Sequence, residues 1–186
     1  FHGSNGRIST SPIKGTRPRG ADDKVDRRMR DELLASGKDR AENTMIVDLL
    51  RNDLGRVCEF GSVHVDDLCV LEEHPTLFHL VSTVIGKLRT NARLSDIFRA
   101  VFPCGSITGA PKISTMRIIH EIEPSARGLS MGAIGYFVPG KIFGLPPTID
   151  VSVAIRTMVI RDDVATFNVG GGIVIDSDPN SEFAES

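Results

Sequence analysis

The stretch "TIDVSVAIRTMVIRDDVATFNVGGGIVI", residues 148–175, decides the fold class. Two runs dense in Val, Ile and Thr flank "RDD", and so short a connection allows only a hairpin of antiparallel strands. In the first run Val151, Val153 and Ile155 share one face, and Asp150, Ser152, Ala154 and Arg156 share the other. In the second run Gly170, Gly171 and Gly172 weaken the strand, so either it bulges there or something packs on bare backbone.

Further strands lie upstream. "GAIGYFV" (132–138) precedes the decisive stretch, and "HLVSTVIGKL" (79–88) is rich in β-branched residues. "RVCEFGSVHV" (56–65) and "DLCVLEEH" (67–74) also read as strands. Before them come two helices. The first runs from Asp22 to about Ser36 and stops at Gly37. The second starts at Asp39, where Asp39 and Glu42 have capping-box spacing, and closes at Gly55. Its apolar stripe, Met45, Ile46, Leu49 and Leu50, puts Glu42 on the inward face. A short helix covers 95–102, and the glycine-punctuated "GSITGAP" (105–111) opens another, from Pro111 to about Glu123. Helices, strands, helices and strands follow one another without regular βαβ alternation, which argues α+β rather than a doubly wound sheet.

Composition excludes several classes. The chain has 186 residues, a length that fits one domain, with 40% hydrophobic and 25% charged residues and a net charge of −2. Without a basic excess, a nucleic-acid partner is not expected. Cys58, Cys69 and Cys104 suit neither a disulfide framework nor a structural zinc site, and a reduced, cytoplasmic setting is expected. No apolar run reaches the ~18 residues of a membrane span, so no membrane association is expected. The ends read as cut: residue 1 is Phe, and "DSDPNSEFAES" (176–186) opens a helix with Asp178 as N-cap and Pro179 as its first residue. Residues 1–186 are therefore expected to be an internal piece of a longer protein.

"SPIKGTRPRG" (11–20) concentrates Lys14, Arg17 and Arg19 on a loop stiffened by Pro12 and Pro18. Gly15 and Gly20 allow close approach of backbone to a ligand. One reading is an anion site, the other a charged surface turn. Glu42 has two readings as well. It either bonds its own helix start or joins Glu182 and Glu185, which share a face of the last helix. Clustered carboxylates would need a cation, and hard oxygen donors suit Mg²⁺. Arg156 on a mixed strand face is equally a bidentate carboxylate grip or a rim ion pair. His79, at the start of a β-branched strand, is more often structural than catalytic. "GSITGAPK" (105–112) lacks the Gly-Lys-Ser/Thr ending of a P-loop.

Together "PIKGTRPRG", "AENTMIVDLLRNDLGRV", "HLVST", "GSITGAPK", "GAIGYF", "IRT" and "GGGIVIDSDPNSE" resemble, in order, the motifs of the chorismate-utilising enzymes and their large synthase subunits. The resemblance implies two packed antiparallel sheets with helices outside, incomplete in this chain, and an active site in the cleft. It implies Mg²⁺ and chorismate, a dianion. Glu42 and Glu185 match the metal ligands, and Asp39 and Glu182 match acids acting through the metal's shell. Arg156 matches the arginine on the enolpyruvyl carboxylate, Gly170, Gly171 and Gly172 the glycines close to substrate, and Ser106 a hydroxyl contact. Gly15 and Thr16 line the same pocket. His79 matches the histidine that assists departure of the C4 hydroxyl.

Lys14 points to the aminodeoxychorismate-forming branch, on the way to para-aminobenzoate and folate, because anthranilate-forming relatives generally carry alanine there. Its amine would attack C2 of chorismate and be displaced after ammonia enters at C4, which requires a neutral amine. Arg17 and Arg19 would keep it neutral and attract the substrate. The ammonia would come from glutamine through a partner amidotransferase. Ser130 stands where relatives often place an aromatic residue. The alternatives are anthranilate formation, isochorismate or salicylate formation, and a non-catalytic piece that binds chorismate or tryptophan.

Overall fold

The computed structural model describes residues 1–140, 146–173 and 177–185. The chain opens with a hairpin, β1 (His2–Ser4) and β2 (Arg7–Thr10), turned by Asn5 and Gly6 at φ 52° and 72°. Asn-Gly is the residue pair that tolerates such a turn best. After Pro12 the chain continues as β3 (Ile13–Pro18). Two helices follow, α1 (Asp23–Ala35) and α2 (Gly37–Gly55), and then β4 (His64–Glu73) and β5 (Leu77–Lys87). Next come α3 (Leu94–Val101), the single turn α4 (Gly105–Thr108) and α5 (Lys112–Ile122). The last third holds β6 (Gly132–Val138), β7 (Thr148–Ala154), β8 (Met158–Arg161), β9 (Val164–Phe167) and α6 (Pro179–Glu185).

The fold is α+β and its pairings are antiparallel, as read from the sequence. Among the described residues there is a seven-stranded sheet and a two-stranded one. β5 lies between β4 on one edge and β2 plus β3, end to end, on the other. From β2 the sheet passes through β1 to β7 and β6. The second sheet is the β8–β9 hairpin, turned by Asp162 and Asp163 at φ 48° and 63°.

β5 explains where the core sits. Its even positions, Phe78, Leu80, Ser82 and Val84, are fully buried, and its odd positions include the half-buried His79. A strand alternates faces, so one face receives the helices and the other carries the candidate chemistry. Leu33, Phe78 and Leu80 pack together beneath α1. Ile46, Val47, Leu50 and Leu54 of α2 pack with Ile8, Val84 and Ile97, Ala100 and Val101 of α3.

Several expectations are corrected here. "SPIKGTRPRG" is not a loop but mainly an edge strand, where Pro18 can sit at the end without breaking the ladder. α2 starts earlier than expected because Ser36, not Asp39, caps it, with its hydroxyl accepting from the Asp39 N–H at 3.2 Å. Met45 is exposed, and Asn43 takes an inward place instead. Residues 56–63 are turns rather than strand, with Phe60 fully exposed. Ser106 and its neighbours form a helical turn inside the expected loop. β7 and β8 are separated at 155–157, so Arg156 is at a break and not within a strand. β9 ends at Phe167, which leaves Gly170–Gly172 outside any strand; residues 174–176 lie outside the described residues. No helix among the described residues is long and apolar enough to cross a membrane.

Candidate active site

Lys14 sits on a β-bulge. Ile13 pairs with Val81 and Thr16 with His79, so β3 takes one residue more than β5 over the same span. Bulges re-aim side chains and recur beside active sites. Gly15 makes this one possible. Its φ is +91°, and a Cβ there would stand 2.9 Å from the Asp39 Cβ and 3.0 Å from the Leu33 Cδ1. A side chain at 15 would thus meet both strain and collision. Lys14 itself is half-buried, and among the described residues its side chain makes no hydrogen bond or ion pair.

The arginines of the same strand do not face open space. Arg17 bonds Glu32 through Nε at 3.0 Å and Asp39 through Nη2 at 3.1 Å. Arg19 makes a fork onto Asp26 at 2.8 and 2.6 Å, donates to the His74 carbonyl, and lies 4.5 Å over the Phe78 ring. Side-chain hydrogen bonding to Asp26 raises the pKa of Arg19 and lowers that of Asp26. Stiffness and charge in this strand therefore tie β3 to α1 and α2, rather than acting on the lysine or on an anion.

His79 faces Thr16 across the strands, with Nδ1 3.2 Å from Oγ1. The His74 ring lies edge-on to it, centroids 5.5 Å apart, and His74 is 3.3 Å from Glu72. Burial, above all, lowers the pKa of His79. The His74 and Arg156 charges add to the lowering, and Glu72 opposes it. The effect of Arg156 brings together two site residues far apart in sequence. Arg156 itself is exposed, has φ 49°, and among the described residues its side chain makes no hydrogen bond or ion pair.

Glu42 lies one turn beyond Asp39 on α2. Since Ser36 caps the helix, Glu42 is not used at the helix start; it is half-buried, and among the described residues its side chain has no hydrogen-bond or ion-pair partner. Asn43 beside it is fully buried and fixes this turn. It donates to the Leu80 carbonyl at 3.1 Å and accepts from the Ser82 hydroxyl, which in turn accepts from the Cys69 N–H. Asp39 is engaged by Arg17.

The remaining site residues come from α4 and the C-terminal third. The Ser106 hydroxyl is 3.0 Å from the Cys104 Sγ. Gly171 meets Glu182 directly: a Cβ there would be 2.8 Å from Oε2. The Glu182 carboxylate also accepts from the Ser177 hydroxyl at 2.5 Å. Gly170, Gly171 and Glu182 line a cleft of about 440 Å³ with Ile173 and Phe183. Asp178 caps α6 by accepting from the Ser181 N–H, as the sequence suggested, and burial-independent hydrogen bonding lowers its pKa. Glu185 closes α6, and its side chain lies outside the described residues. Among the described residues, no group of three or more His, Cys, Asp or Glu side chains converges on one point where a metal could sit. Glu42 offers a half-buried carboxylate with no hydrogen-bond or ion-pair partner among the described residues, and carboxylate oxygen is the donor type a hard cation takes.

Sequence reading missed one prominent pair. Lys112 Nζ is 2.5 Å from the Asp53 carboxylate, and the two side chains are 12% and 2% exposed. The signal available was a lysine and an aspartate each at the unfavourable end of its helix.

The sequence profile of the chorismate binding enzymes matches residues 1–186. The chain is 48% identical over 183 residues to aminodeoxychorismate synthase component 1 of Salmonella typhimurium, covering 98% of this chain and 39% of that protein. It is 46% identical over 186 residues to an anthranilate synthase component 1 of Haloarcula marismortui, covering 100% of this chain and 37% of that one. The crystal structure of anthranilate synthase component I from Streptococcus pneumoniae superposes with a TM-score of 0.81 at 34% identity, over 99% of this chain and 39% of that one. The chain thus spans about two fifths of the length of these relatives.

Proposed function

The chain belongs to the chorismate-binding enzymes, and from that premise we propose that it is the catalytic portion of an enzyme making 4-amino-4-deoxychorismate from chorismate and ammonia. The observation that carries this reading is Lys14, presented unpaired on a bulge where anthranilate-forming relatives generally carry alanine. Overall identity does not separate the two reactions, since relatives bearing either name stand at 48% and 46%.

In the proposed reaction the Lys14 amine adds to C2 of chorismate. The ring double bonds shift, and the C4–O bond breaks. Burial lowers the pKa of His79, which favours its neutral imidazole. With Nδ1 engaged by Thr16, its Nε2 serves the leaving hydroxyl. The proton lost by the attacking amine passes to the departing hydroxide, which leaves as water. Ammonia then adds at C4, the double bonds shift back, and the C2–N bond to Lys14 breaks. One chorismate and one ammonia give one aminodeoxychorismate and one water, with the lysine regenerated.

Arg156 holds the enolpyruvyl carboxylate in this reading, and Gly170, Gly171, Gly172 and Ser106 border the ring. Glu42 and Glu185, supported by Asp39 and Glu182, would hold Mg²⁺, which neutralises the ring carboxylate when bound. Relatives named "component 1" support a second component as partner, and we assign it the amidotransferase role of supplying ammonia from glutamine.

The test is product analysis of the full-length protein with chorismate, Mg²⁺ and ammonium, with intact mass of enzyme quenched during turnover. Aminodeoxychorismate together with an adduct mapped to Lys14 is the expected result. Anthranilate, or an adduct elsewhere, overturns it. Glu42→Gln should raise the Mg²⁺ concentration needed for half-maximal activity, and an unchanged requirement removes Glu42 from the metal.

A further inference from the structure

We propose that the buried Lys112–Asp53 pair is a registering device that sets Ser106 relative to Glu42, which makes Lys112 a positioning residue for substrate binding. The inference rests on the chorismate reading above. Asp53 is in the last turn of α2 and Lys112 is the first residue of α5. Lys112 Nζ lies 2.5 Å from the Asp53 carboxylate and 3.1 Å from the Ala100 carbonyl near the end of α3. One ammonium therefore joins three helices. Each charge opposes its own helix dipole, an acid at a C-terminus and a base at an N-terminus, so neither is placed for its helix. They are compatible only when paired.

α4, which carries Ser106, lies between α3 and α5, the two helices that this ammonium ties together. Its side-chain bonds are local: Ser106 with Cys104, and Thr108 with the Cys104 carbonyl. From outside, Arg127 Nη1 donates to the Ile107 carbonyl at 3.4 Å, and at Gly105 any Cβ would collide with the Leu49 Cδ2 of α2. That contact keeps α4 close to α2 but does not set its position along the helix. The ion pair, anchored one helical turn further along α2 at Asp53, supplies that coordinate. A buried pair adds little stability over an apolar pair of similar volume, whereas its geometry is specific. Its value here is therefore one of register.

The test uses the full-length protein in three forms: Lys112→Met, Asp53→Leu, and both together. Either single change leaves a buried charge alone and should lower the melting temperature by about 5 °C or more. The double variant removes both charges and should melt within about 2 °C of wild type. Its KM for chorismate, with ammonium as nitrogen source, should still be raised about tenfold, with kcat moved less. A double variant that recovers both melting and KM overturns the proposal, because the pair is then only structural. Single variants with unchanged melting overturn it too. If the single variants do not fold, the double variant decides alone, and its failure to fold counts against the proposal. A wild-type protein that turns over no chorismate overturns the functional reading and the positioning role together, while the melting pattern still reports on the pair itself.

Discussion

The strand that carries Lys14 is gripped from several sides, whereas the segment that carries Arg156 and the glycines at 170–172 is exposed at almost every position. β3 pairs with β5, receives Asp39 and Leu33 against Gly15, and is tied by Arg17 and Arg19 to three acids on α1 and α2. From Ile155 to Ile173 the described structure offers one hairpin, with Met158, Ile160, Val164 and Phe167 all open to solvent. Among the described residues, the buried hydrophobics beyond Val101 are Ile149 and Ala154. A nucleophile gains most from being held at attack distance, because small misplacements are costly. A long guanidinium reaching a carboxylate tolerates more. The difference teaches that changes on the Lys14 side should affect stability and chemistry together, and changes on the Arg156 side should affect binding alone.

The sharpest way to break this comparison is Lys14→Ala in the full-length protein. The adduct should vanish, and aminodeoxychorismate formation should fall by at least about a hundredfold. Lys14→Arg should not rescue, since a guanidinium stays charged. Quenched intact mass and product chromatography check both. Next in size is Gly15→Ala. Positive φ and the approach of Asp39 and Leu33 should cost about 2–3 kcal/mol, read as a shifted denaturation midpoint, with kcat falling as Lys14 moves. An unchanged midpoint would mean that the bulge is soft.

On the other side, Arg156→Lys should raise the chorismate KM by more than about tenfold, ~1.4 kcal/mol of binding, while the denaturation midpoint stays where it was. A shifted midpoint with KM intact would show Arg156 to be a structural residue and erase the contrast. The smallest effect concerns His79. Its pKa is lowered below the ordinary 6.5, so the unfolded chain binds the proton more readily. The stability that His79 contributes is complete above pH 6.5 and is lost as pH falls through 6.5 toward the folded value. An NMR titration of the ring should show a midpoint below 6.5, and a midpoint at or above 6.5 would contradict the buried, neutral imidazole.

What was legible in the sequence follows the same division. α1, α3 and α5 came out within a residue or so because their limits are set by local signals, such as Asp22 as cap and Gly37 as stop. The Asp162–Asp163 hairpin and the Asp178 cap are local as well. Elements fixed by partners were misread. β3 looks like a loop because prolines punctuate it, and only the ladder with β5 makes it a strand. Ser36 and Asp39 are both good caps three residues apart, and the chain between α1 and α2 decides for Ser36. The β1–β2 hairpin was readable from Asn5-Gly6, yet its strands are too short for periodicity to show. The local roles read for the basic stretch differ from those in the structure: Arg17 and Arg19 are braces, and Asp39 is held by one of them.

In the proposed reading, the bulge at Lys14–Gly15 separates what holds the strand from what would react. Pairing at Ile13 and Thr16 and the bare backbone of Gly15 carry the architecture, and among the described residues the side chain at 14 makes no hydrogen bond or ion pair. Position 14 is therefore a place where reactivity can be exchanged while the scaffold stays constant, which lowers the barrier for one backbone to acquire a second chemistry. A set of variants at that single site, sorted by product rather than by expression, would sample the evolutionary step between two reactions in isolation.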